Sequence, residues 1–323
     1  MTRTVGDELY PALSRPRRIA LVGECMIEMG GRETITQTFG GDTLNTAVYL
    51  ARTCPRDRVT VDYMTAIGAD AFSGAMRQSW RDEQLGDRHV QVIADALPGL
   101  YFIQTDDRGE RRFLYWRGQS AARRMFDGPQ AEPLLSALDS FDSVYVSGVT
   151  LAILSNNGRQ RLLQRLEQAR ANGLRVVFDN NYRPLLWAHP DMARSAHLAM
   201  LKLTDLAIVT WEDDVQLFGY ADTEALFAAY ADIGVHEVVI KRGARSCLIQ
   251  CAAGRLEVPA QQVTTVVDTT AAGDAFSAGY LACRLQGGAP DQSAAWGHLL
   301  AATVIQHPGA LIPLASMPDT LRV

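Results

Sequence analysis

The chain has 323 residues, 47% of them hydrophobic, with a formal charge of −5 and five cysteines. That length and apolar content bury a large core, which excludes a disordered chain, and the acidic balance excludes a surface that gathers nucleic acid or anionic lipid. Cys25, Cys54, Cys247, Cys251 and Cys283 are odd in number and lack CxxC spacing, so neither a disulfide framework nor a zinc site is expected, and a reducing cytoplasm is. Residues 1–17 contain no apolar stretch of the signal-peptide kind and read as a flexible tail; no run reaches transmembrane length.

From residue 18 onward the sequence reads as one domain. Short apolar runs at 18–23, 143–147, 175–179, 206–210 and 237–241 have the character of buried parallel strands. Amphipathic stretches at 155–171, 190–203 and 223–233 lie between them, the alternation that predicts a mostly parallel sheet covered on both faces by helices. Two segments, about 28–39 and 100–117, break this rhythm, and the second contains the turn sequence Asp106-Asp107-Arg108-Gly109. They are read as strands of a small β-sheet lid, the alternative being two ordinary surface hairpins. The fold class is therefore α/β: three layers, α/β/α, with a small lid.

The segment Val266-Val267-Asp268-Thr269-Thr270-Ala271-Ala272-Gly273-Asp274 joins a β-type run to a helical pattern through small residues. Backbone N–H groups of Ala271, Ala272 and Gly273 at such a helix start can converge on one anion, and the macrodipole favours negative charge there. Asp274, in the first turn, is expected to be kept ionised by the same dipole and to accept a proton from an attacking hydroxyl during phosphoryl transfer. Its bland alternative is an ordinary carboxylate at a helix start. Neither GxxxxGK[ST] nor GxGxxG after a strand occurs, so a nucleotide would be bound in another way.

A second constellation is Phe39-Gly40-Gly41-Asp42-Thr43-Leu44-Asn45. Paired glycines before a helix allow a ligand close to the backbone, with Asp42 and Asn45 able to bond hydroxyls; alternatively Asp42 is only an N-cap.

These two motifs together resemble the signatures of the pfkB or ribokinase family of carbohydrate kinases, over about residues 18–313. Within it, Leu97-Pro98-Gly99-Leu100-Tyr101, Tyr115-Trp116-Arg117 and Asp179-Asn180-Asn181-Tyr182-Arg183-Pro184 are similar to the bacterial 2-keto-3-deoxygluconate kinases. The resemblance implies ATP-dependent phosphorylation of 2-keto-3-deoxygluconate at its C6 hydroxyl, with Asp274 as base and Ala271, Ala272 and Gly273 as anion hole. Gly40, Gly41, Asp42, Thr43, Leu44, Tyr101, Tyr115, Arg117 and Arg183 are implied to contact the sugar acid. Asn181, Lys241, Gly243, Ser246, Ala271 and Gly273 are implied on the nucleotide side, with adenosine near 241–246 and 291–305. Magnesium is expected, carried mainly by the phosphates and water with no direct protein ligand, because Thr210-Trp211-Glu212-Asp213 stands where relatives have Asn-x-x-Glu. A monovalent cation and homo-oligomeric assembly complete the expectation, without nucleic-acid or membrane partners.

Independently of the resemblance, a keto acid carries a carboxylate, for which a guanidinium fork is the bidentate partner; Arg117 and Arg183 are both candidates. The alternatives are cross-strand packing for Tyr101 and Tyr115, a solvated edge charge for Arg117, and an Arg183–Asp179 pair. A kinase for a neutral or phosphorylated ketose, or a silent sugar-acid-binding protein, would keep the same fold.

Overall fold

The computed structural model describes residues 9–323 except 12, 32–33 and 106–110. Thirteen strands form two sheets. In chain order they are β1 (Arg17–Val22), β2 (Met26–Gly30), β3 (Thr36–Gly40), β4 (Val59–Ile67), β5 (Val90–Val92), β6 (Gly99–Thr105), β7 (Arg111–Trp116), β8 (Ser143–Ser147), β9 (Arg175–Asp179), β10 (Leu206–Thr210), β11 (Glu237–Lys241), β12 (Cys247–Cys251) and β13 (Gly254–Val258). The large sheet runs β13-β12-β11-β10-β9-β8-β1-β4-β5 and is parallel from β11 to β5; β12 and β13 are antiparallel.

The five apolar runs are strands because both their faces are covered: Ile19, Ala20, Leu21 and Val22 are fully buried, as are Val144, Val146, Val176 and Phe178. Their alternate side chains feed two cores. One face packs Val22, Val146, Phe178 and Val209 under the helix Asn156–Ala171 and its neighbours; the other packs Leu21, Tyr145, Val177 and Ile208 under the helices Asp42–Thr53 and Ala272–Leu285. Helix starts are fixed locally, as where Ser155 accepts from Gly158 N at 2.9 Å and Asp222 from Ala225 N at 2.8 Å. Among the described residues no helix is long and apolar enough to cross a membrane.

The small sheet runs β3-β2-β6-β7, so the two irregular segments pair with each other and are not separate hairpins. The turn at 106–109 lies outside the described residues. Leu9 and Tyr10, within the stretch expected to be a loose tail, are buried: Tyr10 bonds Ser143 Oγ at 3.3 Å, and Arg15 pairs with Asp142. Residues 1–8 are outside the described residues. Strands that the apolar runs leave out include β4 and the β12–β13 hairpin.

The chain order turns around β1: β4 lies on one side of it and β8 on the other. Loops following the carboxyl ends of parallel strands at such a switch point form a crevice. Here they carry Glu24, Asp179-Asn180-Asn181, Thr210-Trp211-Glu212-Asp213 and Lys241. The Asn180 loop is pressed onto the helix Gly148–Ile153: a methyl group at Gly148 would strike the carbonyl oxygen of Asn180, which also bonds His197 Nε2 at 3.0 Å. Gly148→Ala should therefore lower the melting temperature by about 2–10 °C, following overpacking costs of roughly 1–3 kcal/mol. An unchanged transition in a thermal melt would show that the loop yields freely.

Candidate active site

Asp274 stands in the first turn of the helix Ala272–Leu285, and its Oδ2 accepts from Asn45 Nδ2 at 2.9 Å. Asn45 comes from the helix Asp42–Thr53, so the two sequence motifs, 229 residues apart, meet side by side. Thr46 Oγ1 of the same helix also reaches Asp274, donating to its backbone O at 3.4 Å. The N-cap of that helix is Gly41, and a methyl there would run into the Glu24 carbonyl. Asp42 is thus the first helical residue, not the cap, and its carboxylate accepts from Asn181 Nδ2 at 2.7 Å.

The carboxyl of Asp274 is not held low by the helix dipole, as its position suggested. Burial raises its pKa from the ordinary carboxylate range to about 7; Asp42 and Asp179 raise it further, while Asn45 and Lys241 oppose them. Desolvation and like charge outweigh half a unit of positive charge at a helix end. The residue as a whole is half-buried.

Beside it lies a concentration of positive charge. Ala271 takes the left-handed conformation, φ 60°, before the helix begins. Of the three amides expected there, that of Ala272 is committed to Thr269 O at 3.2 Å. The loop is stapled from behind by Asp268, which accepts from Thr270 N at 3.0 Å and Gly309 N at 2.6 Å. Lys241, at the end of β11, points its ammonium here: Nζ lies 3.6 Å from where a Cβ on Gly273 would be, and it bonds Asp179 Oδ2 at 2.7 Å and Ser277 Oγ at 3.3 Å. Lys241 therefore belongs with the 271–273 loop. Ser246, expected next to it, is elsewhere engaged, its hydroxyl bonding Glu257 and accepting from Arg242 at 2.6 Å. Gly243 supplies the left-handed turn, φ 60°, between β11 and β12.

Asn181, with Ala271, is one of the three described non-glycine residues at positive φ (24°). Its N–H is held by Asn180 Oδ1 at 2.8 Å and Asp179 Oδ1 at 3.2 Å. Strained backbone on two sides of one crevice is typical of a functional site.

The small sheet presents a row of side chains in register: Thr38, Glu28, Tyr101 and Tyr115. Tyr101 donates to Glu28, and its ring lies 5.7 Å from that of Tyr115, with Phe113 6.4 Å beyond. Cross-strand packing is thus real, yet Tyr115 remains 54% exposed. Arg117 is no solvated edge charge: Nη2 donates to the buried carboxylate of Glu24, and Cζ lies 6.0 Å from the Tyr115 ring centre. Arg183 pairs loosely with Asp213 at 3.5 Å and not with Asp179, which is taken by Lys241, Tyr145 and Ser277. Arg183 is 56% exposed, and its charge, like that of Arg117, lowers the burial-raised pKa of Tyr115.

Gly40 packs under the Tyr101 hydroxyl, whereas Thr43 and Leu44 turn their side chains into the core, Thr43 onto Tyr63 OH at 3.1 Å. Of the stretch 40–44, backbone and Asp42 alone border the crevice. Sequence reasoning missed Glu24, Glu28, Phe113, Asp179 and Ser277 here; a carboxylate directly after an apolar run was the available signal for Glu24 and Asp179.

Two motifs meeting side by side at the carboxyl-end edge of a parallel sheet, with a carboxyl next to a helix N-terminus and a lysine, form kinase-like geometry. The profile of pfkB family carbohydrate kinases matches residues 16–317. The chain belongs to the pfkB family of carbohydrate kinases. It is 47% identical over 306 residues, 94% of its length and 99% of the relative's, to the 2-dehydro-3-deoxygluconokinase of Escherichia coli (strain K12). The identity is 48% over 306 residues, with the same coverage, to that of Dickeya dadantii (strain 3937). A solved structure, a putative ribokinase II in complex with ATP and Mg2+ from E. coli, has TM-score 0.80 at 20% identity, covering 94% of this chain and 96% of that one. At that identity the likeness shows the fold, which is ribokinase-like.

The raised pKa of Asp274 has a consequence for stability. In the unfolded chain this carboxyl ionises near pH 4, in the folded chain near pH 7, so folding is favoured below the first value and loses that advantage as pH rises to the second. Asp274→Asn should gain thermal stability relative to wild type as pH rises from 4 to 8. A melting-temperature difference that stays flat across that range contradicts this.

Proposed function

We propose that this chain is a 2-keto-3-deoxygluconate kinase, transferring the γ-phosphoryl group of ATP to the C6 hydroxyl of the sugar acid. The observation that carries this reading is identity of 47–48% with 2-dehydro-3-deoxygluconokinases over 99% of their length. The site supports it with a carboxyl placed to take the proton, a cationic cradle beside it, and two arginines around an exposed tyrosine on the sugar side.

In the proposed reaction Asp274 accepts the C6 hydroxyl proton as that oxygen bonds to the γ-phosphorus and the bridge to the β-phosphate breaks, releasing ADP. A base with pKa about 7 is matched to this work at neutral pH. Lys241 and the amides of Ala271 and Gly273 take the charge of the transferring group. Asn45 orients Asp274, and Asn181 orients Asp42 toward the sugar. Gly40 and Gly41 let the substrate approach the backbone, while Tyr101, Tyr115 and Phe113 on the small sheet cover it and exclude water. Between the two arginines, Arg183 is the carboxylate anchor, because Arg117 is already neutralised by Glu24 and Arg183 has only a long contact with Asp213.

Magnesium neutralises charge on the β- and γ-phosphates when bound. In this reading the phosphates and water carry it, with no direct protein ligand. A monovalent cation is part of the proposal by family resemblance. The unpaired cysteines suit a cytoplasmic enzyme, and the exposed Ile35, Leu97 and Trp116 at the small sheet suit a homo-oligomer.

The test is ADP release with magnesium-ATP against 2-keto-3-deoxygluconate, its galactonate epimer, fructose and ribose, with and without potassium. Preference for the keto acids is expected; turnover of a neutral sugar alone would discard the arginine roles. Asp274→Asn should lose about 10²–10⁴ in kcat while still binding the sugar acid. In wild type, kcat/KM should climb as pH rises through about 7 and then level, and a profile already flat from pH 5 would remove Asp274 from the base role.

A further inference from the structure

Glu24 lies in neither motif, yet it stands where the two sheets meet. It follows β1, and its side chain is 1% exposed; Arg117, just after β7, is 11% exposed and donates from Nη2 to Glu24 Oε2. The carbonyl oxygen of Glu24 is the atom that a methyl at Gly41 would strike. Its Oε1 lies 2.7 Å from where a Cβ on Gly99, the first residue of β6, would be. One residue thus touches the cap of the Asp42 helix, the start of the strand that carries Tyr101 and the residue that follows the strand of Tyr115.

Stability does not account for the pair. Burying two charges is costly, and a well-packed apolar pair of the same volume serves a fold as well or better. The pair is also under-bonded: Glu24 Oε1 and Arg117 Nε are buried and have no partner among the described residues. Such a group calls for another explanation. Its place supplies one, since Arg117 Cζ is 6.0 Å from the ring centre of the exposed Tyr115, whose hydroxyl also feels the charge of Arg183.

Resting on the sugar-acid kinase reading, we infer that Glu24 is a positioning residue for the sugar acid. It fixes Arg117 against Tyr115 and, by neutralising the guanidinium, leaves Arg183 as the cation that draws the substrate carboxylate. The C6 hydroxyl is thereby left facing Asp274. Arg117 then acts as part of a neutral pair, not as the acid's anchor.

The experiment compares 2-keto-3-deoxygluconate with 3-deoxyfructose, the same carbon chain with CH2OH in place of the carboxylate. If wild type does not phosphorylate the keto acid, the functional reading fails and this inference with it. If it does, the variants decide the inference separately. Glu24→Gln and Arg117→Gln should each raise KM for the keto acid about tenfold or more, as loss of one partner of a buried charged pair does, with KM for ATP little changed. The double variant should be no worse than either single one, Glu24→Asp should recover part of the loss, and preference for the acid over 3-deoxyfructose should survive in all of these. Arg183→Gln alone should erase that preference. Lower melting temperatures with unchanged KM, multiplying effects in the double variant, or loss of acid preference in Arg117→Gln would each overturn the inference. Should a single variant not fold, the double variant, which leaves no unpaired charge, decides the matter: a raised KM for the keto acid there supports the inference, and an unchanged KM overturns it.

Discussion

The structure around the crevice is governed by too many carboxylates in too little water. Asp42, Asp179 and Asp274 converge from three elements, with Asp213 and Asp214 behind them, and the burial-raised pKa values of the last three show the same pressure. One buried cation, Lys241, bonds Asp179 and faces the Ala271–Gly273 loop. Around this balance the remaining polar groups are spent as donors: Asn45 to Asp274, Asn181 to Asp42, Tyr145 and Ser277 to Asp179. Such an arrangement is poor for stability and suited to chemistry, because a carboxyl that hesitates between states near neutral pH can both take and release a proton.

The fold makes this possible by bringing strand ends together. The parallel strands present their carboxyl ends to one edge, and the polar residues that close the apolar runs, Asp179 after Phe178 and Lys241 after Ile240, have nowhere else to point. Two helices then deliver their first turns to the same edge, one with Asp42 and Asn45, the other with Asp274. The small sheet carries an aromatic row fixed by register: Tyr101 sits opposite Tyr115 and beside Glu28, so a slip of one residue in either strand would turn the row to the wrong face.

Much of this could be read from residues alone. Five buried strands announced themselves through unbroken β-branched and aliphatic runs, and the small-residue stretch before Asp274 marked the helix start where an anion fits. Other features were illegible for definite reasons. Glu24 and Arg117 are 93 residues apart, and each alone looks like a surface charge; their pairing exists only in three dimensions. The helix dipole beside Asp274 is visible in sequence, whereas the burial that raises its pKa and the neighbouring Asp42 carboxylate are not. Thr43 and Leu44 look available beside two glycines, yet helical geometry turns them inward. Lys241 closes an apolar run in the sequence, and its approach to the Ala271–Gly273 loop exists only in the folded chain.

Whether crowding tunes Asp274 can be read from a 13C NMR titration of its side-chain carboxyl, in wild type and in Asp42→Asn. The expected midpoint lies near pH 7 and falls when the Asp42 charge is removed. A midpoint in the ordinary carboxylate range, about 4, in both proteins would contradict this, and with it the assignment of Asp274 as a base tuned by its crowded neighbours.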